Sequence, residues 1–215
     1  MKILALSDIH GSYSVARSII EKERPDILVL AGDISTMGSV KELRSAIATF
    51  ARTTNNIVAI SGNTDYSWTD ELLNEEKIGI NSFGRIVENI GFFGVSGSPF
   101  SPMHTLYEIS EEEIFRRAEL GYRMIEQCEV KIFVSHAPPY HTNVDKLSNG
   151  LHAGSTSVRK FIDEFQPTLC ICGHIHEARG NDKIGNTIIL NCGKTNKYYG
   201  VITFGKIISV ENKEV

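Results

Sequence analysis

Apolar runs and polar loops alternate along this chain with a regular grammar. Ile3, Leu4, Ala5 and Leu6 follow one another without a break, and the chain then turns polar at Asp8, His10 and Gly11. A short unbroken apolar run bounded by loop residues predicts a strand buried on both faces. From Ser12 to Glu23 the apolar residues Val15, Ala16, Ile19 and Ile20 fall at helical spacing, and Pro25 closes that helix. The pattern then repeats twice. Ile27 to Ala31 predicts a strand ending in Gly32-Asp33, and Ser39-Val40-Lys41-Glu42 reads as a capping box that opens a helix to about Arg52. Ile57 to Ser61 predicts a third strand, ending in Gly62-Asn63-Thr64-Asp65, with a weaker helix over Asp70 to Lys77. Strands that each feed a helix predict an α/β fold with a parallel sheet, whose ligand site lies outside the carboxyl ends of the strands.

The second half keeps a different rhythm. Arg85 to Asn89 and Phe92 to Ser96 predict paired strands about Gly91, and Pro99 to Tyr107 a loop. Ser110-Glu111-Glu112-Glu113 is another capping box, opening the longest helix with Ile114, Ala118, Tyr122 and Ile125 inward. A strand over Lys131 to Ser135 ends in His136-Ala137-Pro138-Pro139. A loop with His141 and His152 then leads to a helix over Ser157 to Phe165. Thr168 to Cys172 predicts a strand ending in Gly173-His174-Ile175-His176. Thr187 to Leu190, Gly200 to Phe204 and Ile207 to Val210 predict antiparallel strands that complete the fold. Phe92, Phe93 and Phe100 are assigned to the core by default.

Composition narrows the class. With 215 residues, 41% hydrophobic and 22% charged, the chain suits one soluble globular domain, and no apolar run reaches the length of a membrane span. Met1-Lys2 leads straight into the first strand without a secretory leader. A cytoplasmic location is expected from that start, and Cys128, Cys170, Cys172 and Cys192, which show no Cys-x-x-Cys spacing, read as buried free thiols that a reducing compartment keeps so. A net charge of -4 and no run of Lys or Arg weigh against nucleic acid as the partner.

The chemistry collects at the strand ends. Five predicted strands terminate in Asp8/His10, Asp33, Asn63, His136 and His174/His176. Any one of these is ordinary: a capping Asp, a turn Asn, a loop His. Together they supply seven nitrogen and oxygen donors for divalent metal, too many for one zinc. A shared carboxylate accommodates them in a pair of metals about 3.5–4 Å apart, the usual clamp for phosphoryl transfer.

In this order, Asp8-x-His10, Gly32-Asp33, Gly62-Asn63, His136 and Gly173-His174-x-His176 resemble the calcineurin-like metallophosphoesterase superfamily, over residues 8 to 176. The resemblance implies a four-layer α-β-β-α sandwich, two mixed sheets facing each other with helices on both outsides, in one domain spanning residues 1–215. It also implies the division of ligands. Asp8, His10, Asp33 and His176 would hold one metal, and Asp33, Asn63, His136 and His174 the other, with Asp33 as bridge. Manganese is expected; Fe, Zn, Co and Ni suit the same donors. The expected reaction is hydrolysis of a phosphate ester, a small phosphorylated molecule being favoured, by attack of a metal-bridging water, with Asn63 on a phosphate oxygen.

Many members carry a histidine after the asparagine; here Thr64 stands there. A threonine hydroxyl cannot supply a proton near neutral pH, so phosphodiesters or activated esters are expected over alkyl monoesters. His141 and His152 are the candidates to replace the missing acid. Asp65 is expected to be a turn residue or a partner to a ligand imidazole, and Arg179 to reach a phosphate. A phosphomonoesterase is the alternative reading, and a non-catalytic scaffold a more distant one, disfavoured by the complete ligand set. Oligomeric state is not legible.

Overall fold

The computed structural model describes all 215 residues. Two sheets form the interior. The first runs in the order β13 (Ile208–Glu214), β12 (Tyr198–Phe204), β1 (Lys2–Leu6), β2 (Ile27–Ala31) and β3 (Ile57–Ile60). The second runs β10 (Gly180–Ile184), β11 (Thr187–Asn191), β9 (Leu169–Cys172), β8 (Val130–Ser135), β5 (Ile90–Val95) and β4 (Gly84–Val87). Two short strands, β6 (Ser98–Pro99) and β7 (Glu108–Ile109), pair beside them. Helices α1 (Tyr13–Glu23), α2 (Val40–Phe50) and α3 (Thr69–Glu75) cover the first sheet, and α4 (Glu111–Arg123) and α5 (Thr156–Phe165) the second. The four-layer sandwich is as expected.

The alternation of side chains across each strand explains why the strands read as unbroken apolar runs. In β1, Ile3 and Ala5 face the opposite sheet, while Leu4 and Leu6 pack under α1 and α2. In β9, Leu169 and Ile171 point between the sheets, while Cys170 and Cys172 pack outward with Phe133 and Phe161. All four cysteines are buried and free. Ser39, Ser110 and Ser155 each cap a helix, accepting from the N–H of Glu42, Glu113 and Val158.

Four local expectations are corrected. The turn of the β4–β5 hairpin lies at Glu88-Asn89, both at positive φ, with Val87 opposite Ile90, so Gly91 sits inside β5. There a Cβ would crowd Ile125 and Cys128, which is why the strand takes glycine. β10 has no apolar alternation and forms the sheet edge, where neither face demands one. β11 pairs in parallel with β9 and antiparallel only with β10. Phe92 and Phe93 are fully buried, but Phe100 is 72% exposed.

Candidate metal centre

β1, β2, β3, β8 and β9 all deliver their carboxyl ends to one edge of the sandwich, and the polar loops that follow them are knitted together by main-chain hydrogen bonds. Asp8 donates its N–H to Gly32 (3.1 Å) and His10 to Asp33 (2.9 Å); Gly173 donates to His136 (3.1 Å) and Tyr107 to Asn63 (3.0 Å). Glycine precedes Asp33, Asn63 and His174 because the loops press on one another. A Cβ at Gly62 would collide with the Asp33 carboxylate, and one at Gly173 with Ser7 and Asp8. Asp8, His10, Asp33 and His174 hold φ between 46° and 65°, a left-handed backbone that costs L-residues energy and persists where the surroundings impose it.

The seven side chains predicted from the sequence converge. Asp8 Oδ1 lies 3.0 Å from His176 Nε2 and 3.8 Å from His10 Nε2. Asp33 Oδ2 lies 3.6 Å from His10 Nε2 and 3.5 Å from His136 Nε2, midway between the two groups. His136 Nε2 meets Asn63 Oδ1 at 2.9 Å, and the His174 ring lies 5.1 Å from that of His136. Donor atoms of Asp8, His10 and His176, and of Asp8, Asp33 and His136, lie within 4.8 Å of one another.

The imidazoles are aimed by their other nitrogens. His136 Nδ1 donates to the Ala31 carbonyl at 2.9 Å, which turns Nε2 toward the centre, and His10 Nδ1 meets Thr36 Oγ1 at 2.9 Å. Burial and the charge of His136 hold His174 down to about 4, and burial also lowers His10; both are neutral at pH 7 and have a lone pair to give. Burial opposes the His136 imidazolium, but Asp33 and Asp8 outweigh it and raise the group to about 9. Burial likewise works against Asp8 and Asp33, yet the histidines around them hold both carboxyls below the usual range.

This donor set fits divalent metal. Asp8 is 0% and Asp33 2% exposed, and neither meets a lysine or arginine. Two buried carboxylates met only by imidazoles and by the main-chain N–H groups of His174 and Thr64, with no basic side chain against them, suit cations among them. Asp33 Oδ2 lies within 3.6 Å of both His10 Nε2 and His136 Nε2, one imidazole from each histidine group.

Around the centre the expectations divide. Asp65 touches no imidazole: its carboxylate accepts from the N–H groups of Ile34, Ser35 and Gly62 and from the Ser35 hydroxyl, clamping two loops. Burial and the nearby Asp33 raise its carboxyl to about 6. Thr64 donates its N–H to Asp33 Oδ1 (2.8 Å) and its hydroxyl to the Ser35 carbonyl (3.4 Å). His152 Nδ1 donates to buried Asp145 at 2.6 Å, while His141 is exposed and packs against the His152 ring at 4.7 Å. Arg179 lies over the Tyr198 ring at 3.8 Å and shares a cleft with His176. Asp145, Lys194 and Lys197 belong to these surroundings without any motif that marks them in the sequence.

The chain belongs to the calcineurin-like phosphoesterase family, which it matches over residues 1–178. An uncharacterized protein of Methanocaldococcus jannaschii is 37% identical over 195 residues, covering 89% of this chain and 87% of that one. Among solved structures, TT1561 of Thermus thermophilus superposes with a TM-score of 0.75 at 16% identity, over 98% of each chain. A dimetal phosphatase from Danio rerio superposes with a TM-score of 0.70 at 11% identity, over 100% of this chain and 96% of that one. At these identities the structures share the fold. Family membership makes the protein a metal-dependent hydrolase of phosphate esters, and no helix is long and apolar enough to cross a membrane.

Proposed function

We propose that the protein cleaves phosphodiesters, or esters with good leaving groups, at a two-metal centre. Asp8, His10, Asp33 and His176 would hold one ion, and Asp33, Asn63, His136 and His174 the other. Manganese is the ion we assign, and the buried free thiols suit a cytoplasmic enzyme. When bound, the two ions supply Lewis acidity toward phosphate oxygens and lower the pKa of coordinated water. The chain's own residues do the rest. Asp33 holds both groups in register through its central oxygen. Asn63 turns its carbonyl oxygen to His136, which leaves its amide N–H donors for a phosphate oxygen. Arg179, stacked on Tyr198, offers a guanidinium to a phosphate of the substrate.

The observation that carries the diester reading is the state of Thr64. Both of its donors are engaged within the protein, N–H to Asp33 and hydroxyl to Ser35, so this position protonates no leaving group. One observation favours the monoesterase instead. Asp145 accepts the Nδ1–H of His152 and so fixes the ring with Nε2 as the nitrogen left to a leaving group.

Metal-loaded protein should cleave bis-p-nitrophenyl phosphate faster than p-nitrophenyl phosphate, with both activities lost in Asp33→Asn. Faster monoester cleavage that falls about a hundredfold or more in Asp145→Asn would hand the assignment to the second reading. Absence of either cleavage in protein of verified metal content would sink both.

A further inference from the structure

Beside the centre, a cleft of about 520 Å³ opens between the loop after β9 and the loop that joins β11 to β12. His176 forms one wall, and Glu177, Arg179, Lys194, Lys197 and Tyr198 line the rest. Three cations and one carboxylate therefore meet at the edge of the centre, on a chain whose net charge is -4. The carboxylate is engaged elsewhere, since Glu177 accepts the Ser148 N–H at 2.5 Å. Arg179 has only Glu214 as an ion partner, at 3.7 Å and 75% exposed, a pairing of little strength. Lys194 and Lys197 reach no carboxylate. The buried Asp8 and Asp33 form their ion pairs with histidines, and none of these cations comes within ion-pair distance of them.

Their positions are built in. Lys194 pairs by its main chain with Ser7, the residue before Asp8, and Thr195 donates both its N–H (3.1 Å) and its hydroxyl (2.6 Å) to the Ser7 carbonyl. The Lys194 carbonyl accepts from Lys197 and Tyr198, each at 2.9 Å, which closes a tight turn. Gly193 has φ +69°, and a Cβ there would crowd Arg179 Cβ at 2.9 Å. The base of the Arg179 side chain is thus packed against this turn, and its guanidinium stacks on Tyr198.

We infer that this cleft is a subsite for a second phosphate of the substrate. The true substrate is then a small molecule with two phosphate groups: an ester at the metal centre and a further phosphate on the His176 side. The lysines meet that group as point charges, and the planar Arg179 meets two of its oxygens. The inference rests on the phosphoesterase reading and makes it narrower, since an ester with one neutral arm would leave three cations without a partner.

The test compares adenosine 3′,5′-bisphosphate with AMP as inhibitors of bis-p-nitrophenyl phosphate hydrolysis by the metal-loaded full chain. The bisphosphate should inhibit about tenfold better or more, an advantage that weakens with added salt. In Lys194→Gln/Lys197→Gln the advantage should fall to about twofold or less. Equal inhibition in the unaltered protein overturns the inference, as does an advantage that survives in the variant. Should the double variant fail to fold, Lys197→Gln alone must lose part of the advantage. If metal-loaded protein does not hydrolyse the diester at all, the phosphoesterase reading fails separately. Calorimetric titration with the same two nucleotides then decides the cleft by the same ratio.

Discussion

On the side of the first sheet, the loops after β2 and β3 are organised by a single buried acid. Asp65 gathers the N–H groups of Ile34, Ser35 and Gly62, and the residues it fixes carry Asp33 and Asn63. On the side of the second sheet, the loops after β8 and β9 present imidazoles and then open into the cationic cleft, where Lys194 and Lys197 have no ion partner. The Asp65 carboxylate of the first wall is taken up by main-chain N–H groups within the chain; the second wall keeps charge in reserve for something outside it. A side chain with all its donors and acceptors engaged sets geometry, whereas one with free charge beside a cleft sets affinity. Specificity for the substrate therefore belongs to the second wall, and the register of the centre to the first.

The sharpest way to break this division is Asp65→Ala. It leaves three buried N–H groups without an acceptor, at a cost of about 3 kcal/mol or more. Urea denaturation should show the loss, and the midpoint for binding Mn should move with it because Asp33 and Asn63 lose their support. An unchanged denaturation midpoint would mean that the loops are held by packing and that Asp65 is incidental. The next effect comes from the metals. On the proposed assignment the ions pair with Asp8 and Asp33 in the folded chain alone, and Mn at ~100 times its Kd should then add about 2.7 kcal/mol. For a chain of this size that raises Tm by ~5 to 10 °C over chelator-treated protein. No shift would show that the buried carboxylates are satisfied by the histidines alone.

The same contrast separates what was legible in the sequence from what was not. Asp8, His10, Asp33, Asn63, His136, His174 and His176 stand out because each lies where an apolar run stops, and parallel strands bring such ends to one edge. The capping serines at 39 and 110 are equally local and were equally readable. Lys194 and Lys197 carry no such mark. Their place beside His176 arises from the docking of two sheets, through a main-chain pairing between Ser7 and Lys194 that joins opposite ends of the chain. β10 carries no signal in the sequence because an edge strand needs no apolar face, and Phe100 departs from the core default because a surface loop tolerates an exposed aromatic. Asp65 reads in the sequence as a turn residue or a partner for an imidazole, because its distance from Asn63 along the chain says nothing about which loop it crosses to.

The smallest expected effect sharpens the account of the first wall. The loop between β6 and β7 touches Asn63 through the Tyr107 N–H, and Glu108 holds that loop by accepting from the N–H groups of Ser101 and Thr105 and from both hydroxyls. Partial burial opposes the Glu108 carboxylate, but these donors outweigh it and bring the group from 4.5 down to about 2. A carboxyl lowered on folding stabilises the fold above its unfolded value and loses that contribution as pH falls through its folded value. The loop should therefore loosen between about pH 4.5 and pH 2, seen as faster amide hydrogen exchange at Ser101 and Thr105. In a largely solvated loop the contribution is ~1 kcal/mol or less. Glu108→Gln, which keeps one acceptor and carries no charge, should show the looser exchange already at neutral pH and little further change on acidification. Identical profiles for the two proteins would remove Glu108 from the support of Asn63 and leave that support to Asp65 and to Asp70, which accepts from the Ser61 hydroxyl.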